Sequence, residues 1–222
     1  MSNRIRLTKI ASITSELDRI ADEVQKYNPE IALAIDKVSD QMENRLAEQK
    51  NAFDPEKLKN GTYTGDLMIT KDMVEGGKLK LPRIKEVTGY FYCNKLNLTS
   101  LDGAPSTVGK DFNCFKNNLT SLEGAPSTVG EDFICSDNNL TSLDKAPTSV
   151  GGDFNCNFNK LTSLKGAPST VNGDFACVKN ELKSLDKAPS TVGKSFFCGN
   201  NPGKFTEADV RAVCDVKEKI YT

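Results

Sequence analysis

Two kinds of side chain that could carry chemistry return in this sequence every 21 residues. Six thiols, from Cys93 to Cys198, could bind a metal, form disulfides or act in redox chemistry. Four carboxylates could bind calcium or a basic partner. These are Asp111, Asp132, Asp153 and Asp174. The sequence contains no histidine and no Cys-x-x-Cys, so we expect neither a zinc site nor any other cofactor.

The thiols are better explained as core residues, with a redox or metal function as the alternative. Each stands two residues after a phenylalanine, and the alternation in Phe-x-Cys predicts a short β-strand. A buried cysteine packs as a small hydrophobe beside the larger ring. The odd count of seven cysteines, with no Sec signal in residues 1–30, favours a reducing compartment. We therefore expect a cytoplasmic protein, in the host cytoplasm or virion if it is phage-encoded.

The elements that position these residues form a repeat. Phenylalanine recurs every 21 residues from Phe91 to Phe196, and six copies keep this period without insertion. One such strand cannot bury its apolar side alone, so the copies are expected to stack as a parallel solenoid. Two leucines turn inward after each strand, and Gly-Ala-Pro returns the chain in an extended or polyproline-like form. An asparagine column is expected to satisfy backbone groups at the bend after each strand. This column is Asn117, Asn138, Asn159, Asn180 and Asn201.

The phrase Phe-x-Cys-x-x-Asn-x-Leu-x-x-Leu resembles the leucine-rich-repeat consensus. The resemblance covers residues 66–222 at most and implies an α/β solenoid with a parallel sheet on its concave face, where members of that family mostly bind proteins. The short repeat with proline on the return side is similar to the bacterial subclass, which includes type III secreted effectors. Leu-Thr-Ser-Leu-x-x-Ala-Pro also resembles repeat proteins encoded by bacteriophages. Leu96 departs from the asparagine position, so the first full repeat should be irregular.

The rest of the chain divides into an N-terminal region and two solenoid ends. Apolar residues at helical spacing predict a helical hairpin over 1–50, and polar residues with Pro55 and Gly61 predict a linker over 51–64. Residues 65–88 are expected to form a degenerate first repeat with a small insertion, 89–203 the six regular repeats, and 204–222 a C-terminal helical cap with a short edge strand. Each helix of the hairpin has only a narrow apolar face, which buries too little area to stabilise the hairpin alone. It therefore needs a partner surface, which could be the solenoid end, another copy or a foreign protein.

The outward strand positions predict the binding face. Stacked aspartates repel by roughly 1 kcal/mol per adjacent pair, which a basic partner, local turn bonds or nearby lysines would relieve. A calcium site is less favoured, because one carboxylate per turn supplies too few of the oxygen ligands that calcium requires. Exposed aromatic and aliphatic side chains are typical of binding surfaces, although they could instead meet the caps. The predicted partner-binding residues are Tyr90, Tyr92, Asp111, Asn113, Phe115, Asp132, Ile134, Asp153, Asn155, Asp174 and Phe197.

Composition and motifs argue against several functions. Basic and acidic residues are nearly balanced, so the sequence shows no excess of positive charge that would attract nucleic acid. No apolar run approaches the length of a membrane span. No phosphate loop or paired catalytic base is present, so we expect no enzymatic activity. The favoured function is a protein-interaction module that uses the concave sheet. The alternatives are a virion or assembly subunit that packs through hairpin and solenoid, and a type III secreted effector that acts by binding.

Overall fold

The computed structural model describes residues 53–222 and, before them, Leu17, Arg19 and Ile20, which are helical. Phe53–Thr222 forms one compact unit. The rest of the predicted helical hairpin lies outside the described residues. Within 53–222 the fold is a parallel β-solenoid, as the repeat predicted. The prediction of an α/β solenoid is wrong there, because helix is limited to two 3-10 turns and one short α-helix, Glu207–Arg211.

One face of the solenoid is a sheet of eight two-residue strands, which we call the phenylalanine sheet. All neighbouring strands are parallel, and each phenylalanine pairs in register with the next, as Phe133 does with Phe112 and Phe154. The strands are Leu67–Met68, Phe91–Tyr92, Phe112–Asn113, Phe133–Ile134, Phe154–Asn155, Phe175–Ala176, Phe196–Phe197 and Ile220–Tyr221.

The return side of each turn adds a second set of strands, which we call the valine sheet. It was predicted only to be extended, whereas it pairs into one group of six strands and one of three. The group of six is Leu58–Lys59, Thr62–Tyr63, Glu86–Val87, Thr107–Val108, Thr128–Val129 and Ser149–Val150. The group of three is Thr170–Val171, Thr191–Val192 and Asp215–Val216.

The core lies between the two sheets and consists of stacked columns of identical side chains. Phe133 is fully buried, and its ring centroid lies 5.5 Å from that of Phe112 and 5.3 Å from that of Phe154. The strand cysteines and the inward leucines and valines are buried in the same way. Each turn thus supplies one slice of a continuous core that no turn could build alone.

The asparagine column joins neighbouring turns, as predicted. The amide nitrogen of Asn138 donates to the carbonyl oxygens of Cys114, Cys135 and Ser136, and its side-chain oxygen accepts the N–H of Leu119. Each partner is a buried backbone group, which would otherwise lose its hydrogen bond. The column therefore holds the bend in its own turn and in the turn before it.

The start of the solenoid differs from the predicted linker. From residue 53 onward this segment belongs to the solenoid, since Leu58–Lys59 and Thr62–Tyr63 form an antiparallel hairpin that continues the valine sheet. Asn60 and Gly61 both have positive φ, which is the requirement of a two-residue hairpin turn. The degenerate first repeat follows, with Leu67–Met68 paired to the next strand of the phenylalanine sheet. Its predicted insertion is a second hairpin, in which Val74–Glu75 pairs with Lys78–Leu79.

The C-terminal end is mainly β-structure rather than a helical cap. Thr206 and Asp209 cap each other at the start of the helix, but the helix covers only Glu207–Arg211 of the segment 204–222 that was predicted to form a helical cap. Asp215–Val216 and Ile220–Tyr221 then extend the valine and phenylalanine sheets, respectively. The apolar residues after the helix thus continue the alternating pattern of the repeat. They form strands paired with the last full turn instead of lengthening the helix.

The first full repeat is irregular, as the departure at Leu96 predicted. Lys95 and Asn97 both adopt positive φ, whereas the position of Asn97 is not left-handed in the later turns. Asn117 of the next turn accepts the N–H groups of both Leu96 and Leu98. Asn201 accepts the equivalent N–H groups of Asn180 and Leu182, so the first bend keeps the bonds from the following turn and lacks only those of its own asparagine.

Candidate functional site

The aspartate column on the phenylalanine sheet is a backbone-binding ladder. The Oδ1 atom of Asp111 accepts the N–H of Asp132, that of Asp132 accepts the N–H of Asp153, and that of Asp153 accepts the N–H of Asp174. The donor–acceptor distances are 2.9, 2.7 and 2.8 Å, respectively. Each carboxylate thus bonds to the backbone of the next solenoid turn, whereas the local alternative had predicted a bond to the tight turn just before its own strand. This ladder gives the column a structural role whether or not it also binds a partner.

The electrostatic environment differs along the column. Asp111 is 8% exposed, and burial raises the pKa of its carboxyl to about 7, helped by the charges of Asp132 and Glu131. Burial also raises the pKa of Asp132, and the neighbouring Asp153 adds to the effect. Lys194 lies 3.7 Å from Asp153 and supplies positive charge at this point. In the N-terminal half of the column, burial therefore favours the protonated form of Asp111 and Asp132.

The first two turns do not offer the exposed aromatic surface that the sequence predicted. Tyr92 is only 5% exposed, because Tyr90 stacks on its ring and its hydroxyl donates to Oδ2 of Asp111. The ammonium of Lys110 lies 4.6 Å from the centre of the Tyr90 ring. Tyr90 remains partly exposed, whereas Tyr92 and Asp111 are covered. Neighbouring side chains of the protein thus cover most of the Tyr90–Tyr92 pair.

Two further predicted contact residues are buried. Asn113 is 3% exposed, and its side-chain oxygen accepts the N–H of Phe115. Phe115 is also 3% exposed, and Lys95 lies over its ring at 5.6 Å. The prediction that Tyr92, Asn113 and Phe115 are open to a partner is therefore wrong, and so is that for Asp111. Neighbouring rings, lysine stems and hydrogen bonds within and between turns cover outward positions that alternation alone leaves exposed.

The remaining outward positions form a continuous row, which we call the open strip. Parallel pairing places Ile134, Asn155, Ala176, Phe197 and Tyr221 directly beside one another on successive strands. All five are at least partly exposed, and Tyr221 is 41% exposed. Asp132, Asp153 and Asp174 flank the strip on one side and are half-buried. The structure thus brings six of the predicted contact residues together, namely Ile134, Asn155, Phe197, Asp132, Asp153 and Asp174.

Two aromatic residues that are at least partly exposed, Tyr221 and Phe158, were missed from the sequence. The rings of Tyr221 and Phe197 stack with centroids 4.5 Å apart, at an angle of 3°. Phe158 lies three residues after Asn155, beyond the end of that strand, and its φ of 53° is uncommon for a bulky residue. The ammonium of Lys179 lies 4.7 Å from the centre of its ring. Tyr221 could have been recognised by extending the strand pattern beyond the last regular repeat. Phe158 could have been recognised as an aromatic residue in a column that is otherwise polar.

The cysteines have the environment of core residues. All seven are reduced and buried. Burial raises the pKa of Cys93, Cys114, Cys135, Cys156 and Cys177, and it raises the pKa of Cys214 to about 11. The reactive thiolate is therefore disfavoured at every one of these six sites. Residues 53–222 also contain no cluster of three acidic or thiol side chains arranged to hold a metal ion.

No family model matches the chain, and comparison with curated proteins and with solved structures finds no match either. Among the residues that the structure describes, no helix has the length and apolar character needed to cross a membrane.

Proposed function

We propose that this protein is a non-enzymatic protein-binding module and that the open strip contacts its partner. The observation that carries the proposal is the register of Ile134, Asn155, Ala176, Phe197 and Tyr221, which aligns five part-exposed positions across five strands. A row of part-exposed aliphatic and aromatic side chains, interrupted only by the polar Asn155, is the kind of surface that protein partners bury.

The non-enzymatic part of the proposal is supported by the state of the thiols. Cysteine is the most nucleophilic side chain that recurs in this sequence, and burial raises the pKa of the strand cysteines Cys93, Cys114, Cys135, Cys156 and Cys177. A chain of near-identical turns also arranges its side chains in rows, whereas catalysis requires different groups to converge on one point.

Within this proposal the solenoid is of the leucine-rich-repeat type, and its binding sheet is the concave face. The support is the asparagine column, where Asn138 and its equivalents bond the backbone of two turns in the position of the consensus asparagine. A reducing compartment such as the cytoplasm fits seven reduced cysteines. Origin in a bacteriophage and a role as a type III secreted effector remain predictions from the resemblance.

A second candidate is an assembly or virion subunit, and one observation favours it. Among residues 53–222, the large hydrophobic side chains with the greatest exposure are Val213 at 40% and Tyr221 at 41%, and both lie at the C-terminal end. The last strands of both sheets, Asp215–Val216 and Ile220–Tyr221, also end there. Apolar surface beside sheet edges suits contact with another subunit.

Affinity purification from the native source tests the proposal, with bound proteins identified by mass spectrometry. Ala176→Glu places a charge in the open strip, and Thr170→Glu places the same charge on an outward, exposed strand position of the valine sheet. We expect a partner to be lost from the Ala176→Glu protein and kept by the Thr170→Glu protein. A partner kept by both, or lost only from a Val213→Ser protein, would overturn the binding-strip function, and the latter result would favour the assembly subunit.

A further inference from the structure

The valine sheet is divided at one place inside the regular stack of turns. Ser149–Val150 ends the group of six strands and Thr170–Val171 begins the group of three, and within residues 53–222 no strand pairing joins them. The two strands nevertheless remain neighbours. On the other side of the core, Phe154 and Phe175 of the same two turns keep their parallel register. We call this one-sided gap the seam.

A backbone hydrogen bond that closes the valine sheet in the neighbouring turns is missing at the seam. The N–H of Gly151 donates to the carbonyl oxygen of Val129 at 3.0 Å, and the N–H of Gly193 donates to that of Val171 at 2.8 Å. The equivalent donor at the seam is the N–H of Asn172, which has no backbone acceptor within residues 53–222. Asn172 is exposed, so water can take the place of the missing acceptor.

A second row of bonds is interrupted at the same place. The backbone N–H and the hydroxyl of Ser127 both donate to the carbonyl oxygen of Ser106 in the preceding turn. Ser169 occupies the same position at the seam and makes neither bond to the preceding turn among the described residues. The bond that remains joins the N–H of Gly173 to the carbonyl oxygen of Gly152 at 2.9 Å, at the corner that leads to the phenylalanine sheet.

The seam has a steric cause in the column of residues that follow the inward valines. A Cβ atom at Gly130 would lie 2.0 Å from the carbonyl oxygen of Gly109, and a Cβ atom at Gly151 would lie 2.0 Å from that of Gly130. The next residue in this column is Asn172, which has a Cβ atom. Its turn therefore cannot approach Gly151 as closely as the glycines approach the turns before them.

The two ends of the solenoid show when this position tolerates a side chain. Thr88 and Lys217 also follow an inward residue of the valine sheet, and their N–H groups still donate to Tyr63 and Val192. Each of them closes a turn of 24 residues, which is three residues longer than the regular repeat. A longer turn can shift to admit a side chain, whereas Asn172 lies between regular turns and has no such freedom.

The phenylalanine sheet holds the two turns of the seam together. The N–H of Phe154 donates to the carbonyl oxygen of Asp174, and the N–H of Cys156 donates to that of Ala176, both at 2.8 Å. One side of the core is therefore closed by hydrogen bonds while the other is parted. The least restrained motion at this point is a rotation of one half of the solenoid about the closed sheet.

We propose that the seam is a hinge at which the two halves of the solenoid pivot about the phenylalanine sheet, and that Asn172 keeps it open. Further parting of the valine strands leaves the pairing of Asn155 with Ala176 intact and makes the phenylalanine sheet more concave there. These two residues are neighbours in the open strip, so the hinge changes the curvature of that surface. The hinge stands on the hydrogen-bond pattern, whereas its use in fitting the strip to a partner rests on the proposed function.

Amide hydrogen exchange of the full chain, measured by NMR and corrected for intrinsic rates, tests whether the seam opens. We expect the amides of Ser169 and Asn172 to exchange at least about tenfold faster than those of Ser127 and Gly130, which are bonded to the preceding turn. Asn172→Gly should let the sheet close and slow the exchange of Ser169 by a similar factor. Equal exchange of the four amides, or a Ser169 amide that Asn172→Gly leaves unchanged, would overturn the hinge.

Paired spin labels on the full chain measure the pivot itself. Thr128→Cys with Thr170→Cys spans the seam, and Thr107→Cys with Ser149→Cys is the matched pair that spans as many strands on the closed side. The native cysteines are buried. We expect a wider distribution of distances across the seam, and Asn172→Gly should narrow it to that of the control pair. Equal widths for the two pairs in otherwise wild-type protein would overturn the hinge. Neither measurement needs a partner, so failure of the hinge is distinguishable from failure of the binding strip.

Discussion

The side-chain nitrogen of Asn138 lies 3.0 Å from the carbonyl oxygen of Cys114, which belongs to the preceding turn. The same nitrogen lies 3.2 Å from the carbonyl oxygen of Cys135 in its own turn. One buried amide therefore ties two turns together at the bend after the strand. Because every regular turn repeats this arrangement, the rigidity of the phenylalanine sheet depends on a column of side chains that never reaches its surface.

Replacing Asn138 with alanine should strongly destabilise the protein. The change leaves the N–H of Leu119 and the carbonyl of Ser136 without their side-chain partner in a buried region. At ~1–3 kcal/mol for a buried group that loses its hydrogen bond, we expect the free energy of unfolding to fall by about 3 kcal/mol. Urea denaturation followed by circular dichroism measures the change.

Asn139→Ala is the matched control, since Asn139 is the adjacent asparagine and is only half-buried. We expect a change within about 0.5 kcal/mol for this variant. Equal losses for Asn138→Ala and Asn139→Ala would show that the column does not hold the turns together.

Stability should depend on pH through Asp111. Its pKa is raised in the folded state to about 7, mainly by burial, so folding favours the protonated carboxyl. The stabilisation from this group is complete below pH 4 and is lost as pH rises toward and through 7, with a total on the order of 4 kcal/mol. Urea midpoints of the wild type and Asp111→Asn, measured from pH 4 to pH 8, report the difference.

Asp111→Asn should abolish this contribution, because an amide can still accept the N–H of Asp132 and does not ionise in this range. The variant should be more stable than the wild type at pH 8 by a few kcal/mol and similar to it at pH 4. Parallel pH profiles for the two proteins would contradict the burial of an uncharged Asp111.

Thiol labelling should be slow in the native protein. The strand cysteines are buried and the raised pKa of Cys93, Cys114 and Cys177 disfavours thiolate, so we expect an aromatic disulfide reagent to modify them only after unfolding. Cys214, with a pKa of about 11 near the C-terminal end, should react first. Peptide mapping identifies the labelled site, and Cys214→Ser should remove the early phase. Rapid labelling of a strand cysteine in native protein would refute this order.

Gly130 should tolerate no side chain. A Cβ atom at this position would lie 2.0 Å from the carbonyl oxygen of Gly109 in the preceding turn, so the two turns must separate. We expect Gly130→Ala to cost several kcal/mol in the free energy of unfolding, through overpacking against backbone. Gly199→Ala is the control, since its nearest neighbour is Thr222 at 3.3 Å, at the chain end. A larger loss at Gly199 than at Gly130 would contradict the close stacking of turns.

The repeat allowed the solenoid to be predicted from sequence, because each column has one residue type and one environment. Phe112 and Asn138 illustrate this, since period and alternation place the first in the core and the second at the bend. The Asn60–Gly61 hairpin was missed, although that dipeptide has the positive φ values of a two-residue turn. A local turn motif was thus outweighed by the polar composition around it.

The candidate site was harder to predict, because alternation gives the direction of a side chain and not its exposure. Tyr92 and Phe115 point outward, yet Tyr90 covers one ring and Lys95 lies over the other. Tyr221 was absent from the predicted face, because it lies beyond the last regular repeat and joins the strip only through pairing with Phe197. Contacts within and between turns decided these positions, and a periodic pattern does not specify them.

Site-directed photocrosslinking tests the proposed binding strip most directly. A photoreactive amino acid replaces Ala176 in the open strip, and the same residue replaces Thr170 on the outward side of the valine sheet as the control. Irradiation in extracts of the native source, followed by mass spectrometry, identifies whatever lies against each position. The binding-strip function predicts a discrete protein adduct from position 176 and none from position 170. Adducts from position 170 alone, or the same adducts from both positions, would contradict it.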